Sequence, residues 1–168
     1  MRKTLGAVVF AAVLGLAAVA SAQPAVFIVR HAERADAGTP TAKVPGADPD
    51  LSEAGRARAE SLATTLKDAR ITAIFVTEYK RTAQTAAPLA KALGIQPTAI
   101  TSKDVDGLAE KVRTAAGNVL VVGHSNSVPT LIKALGVADP LTIAEEEFDN
   151  LFVVSRGSPP ALLRLHYR

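Results

Sequence analysis

Three short apolar runs, Ala25–Val29, Ile71–Val76 and Val119–Val122, constrain this chain more than anything else in it. Each is continuous rather than alternating and is rich in β-branched residues. Each therefore reads as a strand covered on both faces. Helical patterns lie between them. Ser52 is placed to cap a helix in which Ala59, Leu62, Ala63 and Leu66 recur at helical spacing, with Glu53 in its first turn. Residues 79–93 read as a second helix closed by Gly94. Pro88 inside it is expected to kink it or to move its boundary. Weaker patterns give a strand at Thr98–Ile100 and a helix over 104–115, and Ser127–Leu135 is a short helix closed by Gly136. Leu151–Val154 and Leu162–Tyr167 read as two last strands. Strands alternating with helices predict an α/β domain, a three-layer sandwich with a mainly parallel central sheet flanked by helices.

The ends of the chain qualify its bulk charge. Arg2 and Lys3 precede an uncharged apolar stretch, Leu5–Ala20, and Ala20-Ser21-Ala22 reads as a cleavage site before Gln23. The stretch is shorter than the ~20 residues that cross a bilayer comfortably. Residues 1–22 are thus expected to be a signal peptide cleaved after Ala22, the alternative being a retained anchor. The expected location is the periplasm or the exterior, with no membrane span in the processed chain. Residues 23–168 form one domain. Removing Arg2 and Lys3 lowers the formal charge from +3 to +1, so basicity gives no argument for nucleic acid as a partner. With no cysteine, thiolate nucleophiles, disulfides and zinc–thiolate sites are excluded.

The three strong strands end in polar residues. The first ends in Arg30-His31. The second ends in Thr77-Glu78, with Arg81 one turn into the next helix. The third ends in Gly123-His124-Ser125-Asn126. In open α/β sheets, ligands bind beyond the carboxyl ends of the strands, so two arginines and two histidines can meet there. Two guanidiniums can clamp phosphate oxygens with forked hydrogen bonds. One imidazole can attack phosphorus and carry the group covalently. The other can stabilise charge on the equatorial oxygens. Gly123 would let the backbone approach the ligand closely. The loop over 34–50, with Gly38, Pro40, Pro45, Gly46 and Pro49, is long for a compact domain and reads as a functional rim.

At these residues the chain resembles the histidine phosphatase superfamily, also called phosphoglycerate mutase-like. Arg30-His31-Ala32 is similar to that family's first signature, and Leu51-Ser52-Glu53-Ala54-Gly55 to its leucine–glycine helix signature. Thr77 with Arg81-Thr82-Ala83-Gln84-Thr85-Ala86 is similar to its central signature, and Gly123-His124 carries its second histidine. The resemblance covers about residues 25–154. It implies His31 as the nucleophile that becomes phosphohistidine, Arg30 and Arg81 as phosphoryl ligands and His124 as the second pocket histidine, with no metal and no cofactor. The substrate class implied is a small phosphomonoester.

The resemblance leaves the proton donor open. His124 is followed by Ser125-Asn126 instead of the His-Asp of the acid phosphatase branch. Glu78 is the first candidate for the acid, with Glu33 and Asp149 behind it. Thr77 is expected either to cap the following helix or to orient the pocket, and Asn126 either to cap the next helix or to touch the ligand. His166 reads as structural, and Glu145-Glu146-Glu147 as a solvated helix face. The expected activity is metal-independent hydrolysis by double displacement, the alternatives being a non-catalytic anion-binding protein of the same fold or a phosphomutase. The sequence gives no indication of oligomeric state.

Overall fold

The computed structural model describes residues 23–44, 47–138 and 141–168. The expected signal peptide, residues 1–22, lies outside the described residues. In chain order the elements are β1 (Ala25–Arg30), a 3-10 turn (Pro40–Lys43), α1 (Glu53–Leu66), β2 (Ile71–Thr77), α2 (Lys80–Leu93) and β3 (Thr98–Ile100). They continue with α3 (Val105–Thr114), β4 (Asn118–Gly123), α4 (Ser127–Ala134), β5 (Asn150–Ser155) and β6 (Leu162–His166). The six strands form one sheet in the order β3-β2-β4-β1-β5-β6. β2 pairs in parallel with β3 and β4, and β4 with β1, whereas β5 runs antiparallel to β1 and to β6.

The continuous apolar runs are explained by two covering layers. Val26 and Ile28 of β1, with Val119 and Val121 of β4, pack against α3 and α4. Val29, Leu120 and Val122 point the other way and meet Leu62 and Leu66 of α1 and Leu89 of α2. A strand buried on both faces has no polar face to show, so its sequence loses alternation. β6, at the sheet edge, packs only Leu162 against the core, and Leu163 and Leu165 are exposed.

Local chemistry sets the element ends. The Ser52 side chain accepts a hydrogen bond from the Gly55 N–H at 3.0 Å and starts α1. Gly94 closes α2 with a left-handed backbone, φ 66°, that glycine adopts without steric cost. α2 runs through Pro88 without a break, so the boundary does not move there. Gly55 has a further reason to be glycine: a Cβ on it would stand 2.2 Å from the Glu33 carbonyl oxygen. The same carbonyl accepts the Ser52 N–H at 2.9 Å. Leu51, Ala32 and Ala59 form a small separate cluster beside this contact. The leucine–glycine signature thus clamps the start of α1 onto the segment that follows His31.

Two expectations change. Residues 144–147 are a loop and not a helix face. Gly123 makes room for the first turn of α4, since a Cβ there would meet Ser127 Oγ at 2.9 Å and Val128 Cγ2 at 3.1 Å. The close approach at Gly123 is between protein elements. Among the described residues, no helix is long and apolar enough to cross a membrane.

Candidate active site

The carboxyl ends of β1, β2 and β4 lie side by side, because β4 sits between the other two in the sheet. Register fixes the alignment: Arg30 stands opposite Gly123, and the His31 N–H donates to the Gly123 carbonyl at 2.9 Å. The rings of His31 and His124 lie 5.3 Å apart, centroid to centroid. Arg30, His31, Thr77, Arg81 and His124 are all buried. Arg30, His31, Arg81 and His124 line an open cavity of about 890 Å³, with Asn126 and Ser125 also on its wall.

Hydrogen bonds select the tautomer of each histidine. His31 Nδ1 lies 2.8 Å from the Ala32 carbonyl oxygen. A carbonyl can only accept, so Nδ1 carries the proton and Nε2 presents a lone pair. Burial is the largest cause that pushes the His31 imidazole down to about 3, with His124, Arg81 and Arg30 adding smaller repulsions against the Ala32 hydrogen bond. The arginines therefore help, but burial does more. The nitrogen is neutral and nucleophilic without any base to strip it.

His124 is held the opposite way. Arg81 Nη2 approaches its Nδ1 at 3.4 Å and can only donate. Nε2 therefore holds the proton and donates to Thr77 Oγ1 at 2.9 Å. The Thr82 hydroxyl spends its hydrogen on backbone carbonyls, that of Tyr79 at 2.8 Å being the nearer. Thr77 Oγ1 accordingly donates to Thr82 Oγ1 at 3.0 Å. Thr77 thus orients the pocket and does not cap α2. Burial, then Arg81, pushes His124 down to about 4.

The two guanidiniums are held with donors to spare. Arg30 Nη1 donates to the carbonyls of Ala144 and Glu145 at 3.0 and 2.8 Å, and its Nη2 to Glu145 Oε2 at 2.9 Å. Arg81 Nη1 lies 3.6 Å from Asp48 Oδ1. Arg30 Nε and Arg81 Nε and Nη1 are buried with no hydrogen-bond partner among the described residues. Buried donors of this kind nearly always have an acceptor, and a phosphate oxygen is a suitable one. Aromatic rings back both groups, Phe148 at 4.2 Å from Arg30 Cζ and Tyr79 at 4.1 Å from Arg81 Cζ.

The proposed acids are engaged by other partners, and of the three only Glu33 lines the cavity. Glu78 accepts hydrogen bonds from Ser102 N and Oγ at 2.7 and 2.8 Å and does not line the cavity; against the cost of desolvation, bonds from its own N–H and from Ser102 hold it below the usual carboxylate range. It lines a neighbouring groove with Thr77 and Tyr79 instead. Glu33 has both oxygens on Arg58, at 2.6 to 2.9 Å. Asp149 faces His166 Nδ1 at 3.2 Å, away from the cavity lining. Asn126 occupies the N-cap position of α4 without a cap bond and leaves its side chain on the cavity wall.

Some contributors to the site are not among the candidate residues of the sequence. Thr85 Oγ1 accepts the Ala32 N–H at 2.9 Å and holds the turn after His31. It could have been found from the central signature, whose second threonine falls one helical turn after Arg81. The carbonyls that grip Arg30 could not, since every residue has one.

Among the described residues no group of His, Asp or Glu is arranged to hold a metal ion. A doubly covered α/β sheet whose strand ends hold two neutral imidazoles of opposite tautomer between two guanidiniums defines a phosphoryl-binding fold with imidazole chemistry. The family profile of the histidine phosphatase superfamily (branch 1) matches residues 26–111, and the chain belongs to that superfamily. Solved structures share the fold. One from Agrobacterium tumefaciens, assigned as a phosphohistidine phosphatase, SixA, is 24% identical, with TM-score 0.63 over 84% of this chain and 97% of that one. The protein histidine phosphatase SixA complexed with tungstate is 19% identical, with TM-score 0.65 over 84% and 96%. A mycobacterial glucosyl-3-phosphoglycerate phosphatase complexed with VO3 is 15% identical, with TM-score 0.67 over 86% and 98%. Among curated protein sequences none matches this chain.

Proposed function

We propose that this protein is an exported phosphatase that hydrolyses a small phosphomonoester through a phosphohistidine on His31. One observation carries the reading: His31 donates Nδ1–H to the Ala32 carbonyl, which leaves the Nε2 lone pair in a buried pocket beside Arg30, Arg81 and His124. Nε2 forms the P–N bond as the ester oxygen leaves, and water then cleaves the P–N bond. Arg30, through its free Nε, and Arg81, through Nε and Nη1, hold the phosphoryl oxygens. His124 adds a polar wall for charge that develops in the transition state.

Export rests on the leader-like residues 1–22. It favours a substrate of the cell envelope, such as a phosphorylated sugar, over a glycolytic mutase reaction or a cytosolic phosphorelay protein. A receptor that binds the anion without turnover is the second reading, kept because Glu78 is turned away from the cavity.

The test is turnover of p-nitrophenyl phosphate by residues 23–168, with trapping of an acid-labile phosphoenzyme. His31→Ala is expected to abolish both turnover and label. Tight vanadate binding without turnover of any phosphoester would establish the receptor instead.

A further inference from the structure

Resting on the phosphatase reading, we propose that Glu145 is the proton donor to the leaving oxygen. It stands on the loop between α4 and β5 and lines the cavity. Its Oε2 accepts from Arg30 Nη2 at 2.9 Å, and its Oε1 accepts from Ser125 Oγ at 3.1 Å. Arg30 immediately precedes His31, and Ser125 immediately follows His124. The carboxylate therefore straddles the two strand ends that carry the histidine pair. Its backbone is pinned too, since its carbonyl accepts Arg30 Nη1. The side chain is nevertheless 77% exposed, whereas Arg30 is 6% exposed, so it stands at the mouth of the cavity above a buried floor.

That position matches the geometry of the reaction. His31 attacks from the floor, and in-line displacement sends the leaving oxygen out toward the mouth. A donor must stand there and be held in place. Asp48 is committed to the Lys80 N–H and to Arg81. Glu146 lines the cavity without a hydrogen bond to the histidine-bearing ends. Glu78, Glu33 and Asp149 are committed as described above.

In the free protein Glu145 pairs with Arg30. An arriving phosphomonoester dianion competes for Arg30 and sets its own negative charge beside the carboxylate, which favours uptake of a proton. His31 Nε2 then bonds to phosphorus while the P–O ester bond breaks. The electron pair stays on the ester oxygen, which takes the Glu145 proton and leaves as the alcohol. In the second half, the Glu145 carboxylate removes a proton from water as that water's oxygen bonds to phosphorus. The P–N bond breaks, its electron pair returns to Nε2, and orthophosphate departs.

The experiment compares wild type, Glu145→Gln and Glu145→Asp on aryl and alkyl phosphates of graded leaving-group basicity. Glu145→Gln is expected to lose about 10²-fold or more on an alkyl phosphate. On p-nitrophenyl phosphate, whose phenolate leaves without a proton, the loss is expected to be much smaller. Aspartate is expected to recover part of the alkyl activity. An equal fall on every ester would make Glu145 only a prop for Arg30 and overturn the proposal, as would undiminished alkyl turnover. Failure of the phosphatase reading looks different: wild type itself would turn over no ester.

Discussion

In the proposed reaction His31 is the nucleophile by virtue of where its protons are not. Its Nδ1 proton is committed to Ala32, and burial keeps Nε2 unprotonated down to about pH 3. The acidic limb of kcat/KM, corrected for ionisation of the substrate phosphate, is therefore expected below about pH 5 and not near the ordinary histidine value. A limb near 6.5 would show that His31 is more exposed to water than its 4% accessibility indicates. Thr77 acts through His124. Thr77→Val removes the acceptor of the His124 Nε2 proton, and kcat is expected to fall about tenfold to a hundredfold, as when the partners of metal-bound imidazoles are removed. Thr77→Ser keeps the hydroxyl and should retain most of the activity. A merely steric role would affect both variants alike. His31, His124, Arg30 and Arg81 were legible as residues because charged and titratable groups at strand ends are rare enough to stand out. Their tautomers were not legible, since these depend on a carbonyl and a guanidinium that approach from other segments.

At the level of elements, the short apolar runs fixed the strands to within a residue or two, because burial on both faces leaves no alternative pattern. The rim was not legible. Glu145 and its neighbours looked like helix because three glutamates carry high helix propensity, yet Arg30 takes three carbonyls of this segment and holds it as a loop. Glu78 looked central because it follows a strand end, but a residue there can turn to either side, and Ser102 draws it outward. The α1 contact gives a prediction of its own. Glycine to alanine inside a helix ordinarily stabilises by up to ~1 kcal/mol. Gly55→Ala is expected to do the reverse, costing about 1–3 kcal/mol in urea unfolding, because the new Cβ has to displace the Glu33 backbone.

The whole molecule inherits the pH response of its two buried imidazoles. Above the unfolded value of 6.5, both are neutral in folded and unfolded chains. Below it the unfolded chain takes up protons that the folded one refuses until about 4 at His124 and about 3 at His31. Stability is thus fully present above about pH 6.5 and declines as the pH falls toward 4, by on the order of a few kcal/mol. Urea midpoints at about pH 7.5 and 4.5 would measure it, and a His31→Asn/His124→Asn variant should show a flatter profile.

The strand that leads into His31 is also the first of the sheet to leave the ribosome, yet both its partners come late. Val26 of β1 pairs with Val119 of β4 on one side and with Val154 of β5 on the other. Such long sequence separations slow folding, because distant loops must close before the central pairing is gained. A chain ending at Asp149 would leave β1 with an open edge and is expected to remain unfolded by circular dichroism. The same ordering delays compaction until β5 has been made. A nascent polypeptide of this kind stays threadable, as the proposed export would require.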